Sequence, residues 1–344
     1  LIQRERIMGH LKPVGKIMGA LAALAITGFA GNAMAQTKVK IGYATLNDPQ
    51  QAVGMELAKR LAANPAMKFT GQNFPAGQIG SIPRMIEGLQ FGTLEMMITP
   101  PGFLVGINQN FQVLDAPGLF DNPMHAHKAL NDPEFFSKYS QLAANKGIKM
   151  MSLYVYGPTS WASKKPIRTL ADFKGVKVRV LATKMESAMV RKFGAAGVPM
   201  PYTEVLPALQ RGTIDACRSA IIVMGGSKFF TVTKFITVIE SGMIPSAVLV
   251  SDVWLKKLSP ERRKFVETTV AGMSDWATET AIEYGKKAET LWKENGAEVI
   301  RLSAADQKTF MDTVRPLGDE FLGGNPVTKD MYNLLKKAVE RARM

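Results

Sequence analysis

Few side chains in this 344-residue chain could make or break a covalent bond. Beyond residue 35, histidine occurs only at His125 and His127, and Cys217 is the single cysteine. A His-x-His pair can in principle hold a metal, but residues two apart on the helix predicted after Asp121-Asn122-Pro123 point to different faces. Cys217 falls in an apolar, strand-like run, which suits a buried inert thiol; alone, it forms no intramolecular disulfide. The chain contains no His-Glu-x-x-His, Gly-x-Ser-x-Gly or Gly-x-x-x-x-Gly-Lys-Ser/Thr. These residue types therefore predict no catalytic group, no metal and no cofactor. Read on its own, Lys177-Val178-Arg179-Val180 is an alternating strand with its charges toward water.

The elements that position these residues come in two similar sets. Leu89-Gln90-Phe91-Gly92-Thr93-Leu94-Glu95 and Leu209-Gln210-Arg211-Gly212-Thr213-Ile214-Asp215 repeat one phrase, 120 residues apart: a helix tail, a glycine, a strand start. Each follows an apolar strand (Val39–Tyr43, Val176–Val180) and a helical stretch, which predicts two similar α/β lobes with a cleft between them, the usual place for a small ligand. In the first lobe, Asn47-Asp48-Pro49 signals a helix start, and Val53, Leu57 and Leu61 form its stripe to about Ala63. Strands are expected at Phe69–Phe74 and Leu94–Ile98, with a helix at Ile82–Gln90 between them. Ile148–Tyr156 is a strand leading to the second lobe, where a short capped turn at Ile167–Lys174 precedes Val176–Val180, a helix at Lys184–Phe193 and a strand at Thr213–Ala216. Val266, Val270, Met273, Ala277 and Ala281 recur at helical spacing in an unbroken stretch from Ser259 to Glu294. Thr328–Ala342 is a last amphipathic helix.

The N-terminus predicts export. Arg4, Arg6, Lys12 and Lys16 precede an uncharged, mostly apolar run from Ile17 to Ala30, and Ala33-Met34-Ala35 offers small residues for cleavage after Ala35. Residues 1–35 therefore read as a Sec-type signal peptide of a periplasmic protein, whether the chain starts at Leu1 or Met8; an anchor needs about 20 apolar residues. Removing them takes four basic residues and one acidic one from a formal +14, leaving +11 on 309 residues. The basic residues are scattered in helical stretches beside acids, as at Lys286-Lys287 near Glu283 and Glu289. They form no aromatic-interleaved patch, so a nucleic-acid partner is not expected.

From Lys164 to Ser219 the chain resembles the solute-binding proteins of TRAP transporters, the C4-dicarboxylate-binding periplasmic type. The resemblance is carried by Lys165-Pro166-Ile167-Arg168-Thr169-Leu170-Ala171-Asp172-Phe173-Lys174-Gly175 with the strand after it, by Gly197-Val198-Pro199-Met200-Pro201-Tyr202, and by Ala208 to Asp215. In the first lobe Pro75-Ala76-Gly77-Gln78-Ile79-Gly80 and His125-Ala126-His127-Lys128 agree too. The resemblance implies an α/β, two-lobed periplasmic-binding-protein-like fold with a hinge and a long helix bridging both lobes. Lobe I would comprise 36–156 plus about 245–275, and lobe II 157–244 plus about 276–344, with the long helix at about 260–294 spanning both.

The implied function is capture of a small organic acid by hinge closure and its delivery to TRAP membrane subunits, by a monomer that is not an enzyme. The family's carboxylate-binding arginine falls on Arg179, whose planar fork suits bidentate pairing. Tyr202 matches an aromatic that packs on the ligand, and Ser219 stands where an asparagine is usual. Thr159 stands where a second arginine is often found, and Thr99-Pro100-Pro101 lacks an acid that sialic-acid binders use. These departures point to a ligand with one carboxylate, its polarity tuned by Thr159, Ser219 and Thr99. Trp161 either stacks on a flat ligand or packs under the hinge. Gln50, at the first helix N-terminus, can face the cleft as a donor. Arg218 is a second cation for the ligand, surface-exposed or structurally paired. A ligand-sensing module or an enzyme on the same scaffold are the alternative readings.

Overall fold

One nine-stranded sheet carries the fold in the computed structural model, which describes residues 36–344. The expected leader and its cleavage point lie outside the described residues. The strands are β1 (Thr37–Gly42), β2 (Phe69–Phe74), β3 (Met96–Thr99), β4 (Ile148–Ser163), β5 (Lys177–Val180), β6 (Ala196–Pro199), β7 (Ala216–Ala220), β8 (Phe235–Ser251) and β9 (Glu298–Arg301). Their order is β2-β1-β3-β8-β4-β7-β5-β6, with β9 also on β8. β2, β1 and β3 are parallel, as are β6, β5 and β7. Two long antiparallel strands, β4 and β8, join these halves.

The two halves meet at a neck. β3 borders β8 only at residues 247–250, and β7 borders β4 only at 159–163. Between these contacts Val155, Gly157 and Pro158 pair with Pro245, Ile244 and Met243, so the sheet there is two strands wide. Pro158 and Pro245 bring no N–H to this ladder, and Gly157 sits at φ +150, where a side chain would be strained. The register then jumps from Pro158↔Met243 to Ser160↔Val238. Ile239 to Gly242 therefore bulge outward opposite Thr159, and a bulge bends the strand that carries it.

The repeated phrase has a structural cause. Gly92 and Gly212 end their helices in the left-handed region, at φ +73 and +76, which closes the last turn onto the preceding carbonyls. The acid three residues later then does the same work in both halves. Glu95 accepts from the Lys40 N–H of β1 at 2.8 Å, and Asp215 from the Lys177 N–H of β5 at 2.9 Å. Each also offers its carbonyl to the strand on its other side, Ser251 N–H in one half and Lys164 N–H in the other.

The helical stretch after Ser259 is interrupted, which corrects its unbroken reading. One helix runs Pro260–Ala271, the chain turns at Gly272-Met273, and a second runs Ser274–Glu294. The apolar stripe continues through the turn because Met273 is itself core, with Val266, Val270 and Ala277. At ~1.5 Å per residue the 21-residue second helix is ~31 Å long. It ties both halves: Thr278 Oγ1 accepts from Val155 N–H at the neck, and Trp292 Nε1 donates to Ile221 O of the second half. The stripe Val53, Leu57, Leu61 of the Pro49–Ala62 helix is buried against β1 and β3, each leucine contributing about 1.5–3 kcal/mol. No helix among the described residues is long and apolar enough to cross a membrane.

Candidate functional site

Arg179 is the third residue of β5, and the sheet buries it to 1% exposure. Nε and Nη2 donate to Met200 O at 3.1 and 3.0 Å, and Nη1 to Arg218 O at 3.3 Å. The Tyr202 ring lies 5.6 Å from Cζ, within cation–π range. Among the described residues no carboxylate pairs with this guanidinium. Three of its five N–H groups are used, which leaves one on each terminal nitrogen, the pair that a carboxylate engages bidentately. The expectation that the charge on this strand faces water does not hold: Lys177 is exposed, Arg179 is not.

The cavity beside Arg179 lies between the two halves of the sheet and is nearly closed, at about 20 Å³. From the first half come Thr45, Gln50, Ile82, Thr99 and Phe103; from the second, Arg179, Leu181, Tyr202, Ser219 and Val223; from the neck, Tyr156 and Ile244. Tyr202 is fixed by its hydroxyl to Val223 O at 2.9 Å and by stacking on Phe229, with ring centres 5.5 Å apart. Gln50 accepts from Thr45 Oγ1 at 3.0 Å and donates to Ser246 Oγ at 3.2 Å. Thr99 ends β3 with its Oγ1 buried and without a hydrogen-bond partner, a polar group that is costly to leave unmet. Five of the seven residues singled out in the sequence thus line one cavity: Arg179, Tyr202, Ser219, Thr99 and Gln50.

Thr159 and Trp161 are not brought there. Thr159 hydrogen-bonds Ile239 O at 3.1 Å and Ser241 Oγ at 3.0 Å, and so pins the bulge of β8. Trp161 is fully buried in an aromatic cluster with Phe173 and Phe310, ring centres 5.0 and 6.2 Å away. Alternation along β4 is broken by its register shifts, so counting residues could not show which way these side chains face.

Behind the cleft floor lies a second arginine with its charge answered. Arg218, buried on β7, makes an ion pair with the equally buried Glu186. Glu186 also accepts from Leu181 N–H at 2.6 Å. Asp115 faces the same cluster, with Oδ2 enclosed and without a partner. Burial, and then the Glu186 carboxylate, push its pKa up to about 8. At the N-terminus of the Pro49–Ala62 helix, Asp48 caps Gln51 N–H and accepts from Tyr156 Oη. Burial raises its pKa to about 6. Sequence reasoning missed Thr45, Tyr156 and Asp115. Asp48 was visible as a cap, which pointed to the cleft edge but not to its tyrosine.

The histidines are bound into the scaffold. His125 bonds Asp121 N–H and Val339 O, both at 2.9 Å. His127 bonds Asp275 at 2.8 Å and Thr278 at 2.9 Å, on the bridging helix. Cys217 is buried, which raises its thiol pKa to about 11 and keeps it protonated.

Comparison with known proteins finds relatives over nearly the whole chain. Residues 42–324 match the family described as bacterial extracellular solute-binding protein, family 7. The 2,3-diketo-L-gulonate-binding periplasmic protein of Escherichia coli K12 is 28% identical over 94% of this chain and 98% of its own length. The C4-dicarboxylate-binding periplasmic protein of Rhodobacter capsulatus is 26% identical over 89% of this chain and 93% of its own. The sugar acid binding protein of Advenella mimigardefordensis, solved with galactonate, superposes with a TM-score of 0.84 at 22% identity, over 90% of this chain and 99% of that one.

Proposed function

The chain belongs to the bacterial extracellular solute-binding proteins of family 7, and on that premise we propose that it is the periplasmic receptor of a TRAP-type secondary transporter, capturing a small organic acid by its carboxylate. The observation that carries this reading is the buried Arg179 guanidinium, which no carboxylate answers among the described residues and which has one free N–H on each terminal nitrogen. A buried charge without a partner is strongly unfavourable, and a ligand carboxylate supplies the missing partner. The relatives above are named for a keto sugar acid, a C4-dicarboxylate and galactonate, all carboxylate-bearing solutes.

The ligand is a monocarboxylate with a partly apolar body. Arg218 is spoken for by Glu186, so one cation is left for the ligand. Ile82, Phe103, Leu181, Val223 and Ile244 cover the body, and Thr99 Oγ1, Ser219 and Gln50 meet its hydroxyl or oxo groups. Thr159 and Trp161 act at one remove, by shaping the neck and the core under it. The leader 1–35 exports the chain. Lobe I is 36–156 with about 245–275, lobe II is 157–244 with about 276–344, and the neck between them is the hinge. A ligand touching both lobes favours closure by its preference for the closed state, and the closed monomer docks on the membrane subunits without chemical change to the ligand.

The test is a thermal-shift screen of residues 36–344 against dicarboxylates, 2-oxo and hydroxy acids, sugar acids and aromatic acids. A ligand that binds only the native state raises the melting temperature with the logarithm of its concentration over Kd. The expected result is a hit among monocarboxylates that Arg179→Ala abolishes. Shifts from neutral sugars or cations alone, or a hit unchanged in Arg179→Ala, would overturn the reading.

A further inference from the structure

A second and larger cavity, about 210 Å³, lies at the neck between β4, β8 and the bridging helix. Tyr156 lines both cavities and is the wall between them. The neck contributes Val155 and Pro158, the second half Ile221 and Ile222, and the bridging helix Ile282 and Gly285. These surfaces are apolar. Three polar features depart from that pattern. Ser160 lines the cavity fully buried, and its Oγ has no hydrogen-bond partner. Glu240, at the tip of the β8 bulge, is exposed at the rim and has no ionic partner among the described residues. Glu289 is the second carboxylate, shared with Arg301 and Lys293. No lysine, arginine or histidine lines the cavity.

We propose that this hinge cavity is a second ligand site, for a small organic amine with an apolar, ring-sized body. The apolar walls take the body, Ser160 Oγ accepts from or donates to a polar group at depth, and Glu240 holds the ammonium at the rim. The arrangement has the opposite charge preference to the cleft, where one guanidinium awaits an anion, so the two sites select different solutes. Because the walls come from the neck, the second half of the sheet and the helix that ties both halves, an occupant changes the stability of one hinge angle relative to another. By linkage, amine and organic acid then change each other's affinity by the same factor.

Phenethylamine is the probe, with 3-phenylpropionate as the same body carrying the opposite charge, titrated calorimetrically into residues 36–344 with no organic acid present. Gly285→Leu fills the cavity from the helix: a Cβ there meets nothing within 4 Å, so the backbone has room for it, and a leucine is a better helix former than glycine. Ile282→Trp fills it independently from the same helix, and Glu240→Gln removes the rim charge. The expected result is saturable phenethylamine binding that is lost in whichever filled variant keeps the wild-type melting profile. In Glu240→Gln it should weaken about two- to fivefold, the size of a partly exposed ion pair. Arg179→Ala should leave it unchanged. No saturable binding to the wild type, binding that survives both fillings, or binding lost in Arg179→Ala would each overturn the second site. The last outcome would place the amine in the cleft.

Discussion

Replacing Arg179 by lysine keeps the charge and removes the fork, and so separates electrostatics from geometry. In the structure the guanidinium does two jobs at once. Nε, Nη1 and Nη2 hold Met200 O and Arg218 O, while one N–H on each terminal nitrogen stays free for the ligand. A lysine has three N–H groups on one nitrogen, which cannot reach both carbonyls and two carboxylate oxygens together. At least one charge-assisted bond to the ligand is lost, at about 1.5–3 kcal/mol, which is about 10- to 150-fold in Kd. Alanine should lose both bonds and more. The assay is isothermal titration with the acid from the thermal screen, alongside the melting temperature of each variant, so that lost affinity is not confused with lost folding. A folded Arg179→Lys that binds as tightly as wild type would show that a point charge suffices and refute the bidentate geometry. A folded Arg179→Ala with unchanged Kd would refute the assignment altogether.

Two further outcomes follow from other parts of the fold. Gly212→Ala should cost about 1–2 kcal/mol, the strain of a left-handed non-glycine residue, because its Cβ would meet only Lys164 Nζ, at 3.9 Å. Gly92→Ala should cost more, since its Cβ would lie 2.8 Å from Val253 Cγ1; equal urea midpoints for the two variants would refute this difference. Asp115 has its pKa raised from an ordinary 3.8 to about 8, so the folded protein holds a proton there that the unfolded chain releases. The stability this gives is full below about pH 4 and is lost as pH rises to 8. Asp115→Asn should flatten that decline, as read by melting temperature against pH, and an unchanged slope would remove Asp115 as its source.

What the sequence revealed and what it hid divide along physical lines. Local signals were legible: the helix at Pro49–Ala62 with its Asp48 cap, the strand Phe69–Phe74, and both left-handed glycines follow from neighbours a few residues apart. The repeated phrase was legible for the same reason, since each copy must close a helix and cap the adjacent strand. The long strand β8 was not recognised, because its run of Gly242 and Pro245 looks like a breaker and its bulge erases alternation. The interruption at Gly272 was hidden because the apolar stripe runs through it. At the site, the cavity positions of Arg179 and Tyr202 were legible through motif resemblance, whereas Thr45, Tyr156 and Asp115 depend on contacts 68 to 111 residues apart and leave no local mark. Trp161 takes the second of its two expected placements, packed in the core, and Thr159 is turned to the β8 bulge, because the bulges of β4 decide which way they face.

The charge balance around the cleft floor bears on the ligand more directly than any single contact. Arg179 and Arg218 sit on neighbouring strands, both buried. Glu186 neutralises Arg218, and burial together with the Glu186 carboxylate favours the protonated form of Asp115. The floor therefore carries one net positive charge. A single ligand carboxylate brings it to zero, and a second would leave an anion in a site with little water to screen it. Relatives built on this scaffold are named for monocarboxylates and for dicarboxylates alike, so the fold does not set the number of carboxylates. On the proposed function, the guanidinium groups left without a carboxylate set it, and among the described residues lining the cleft Arg179 is the one.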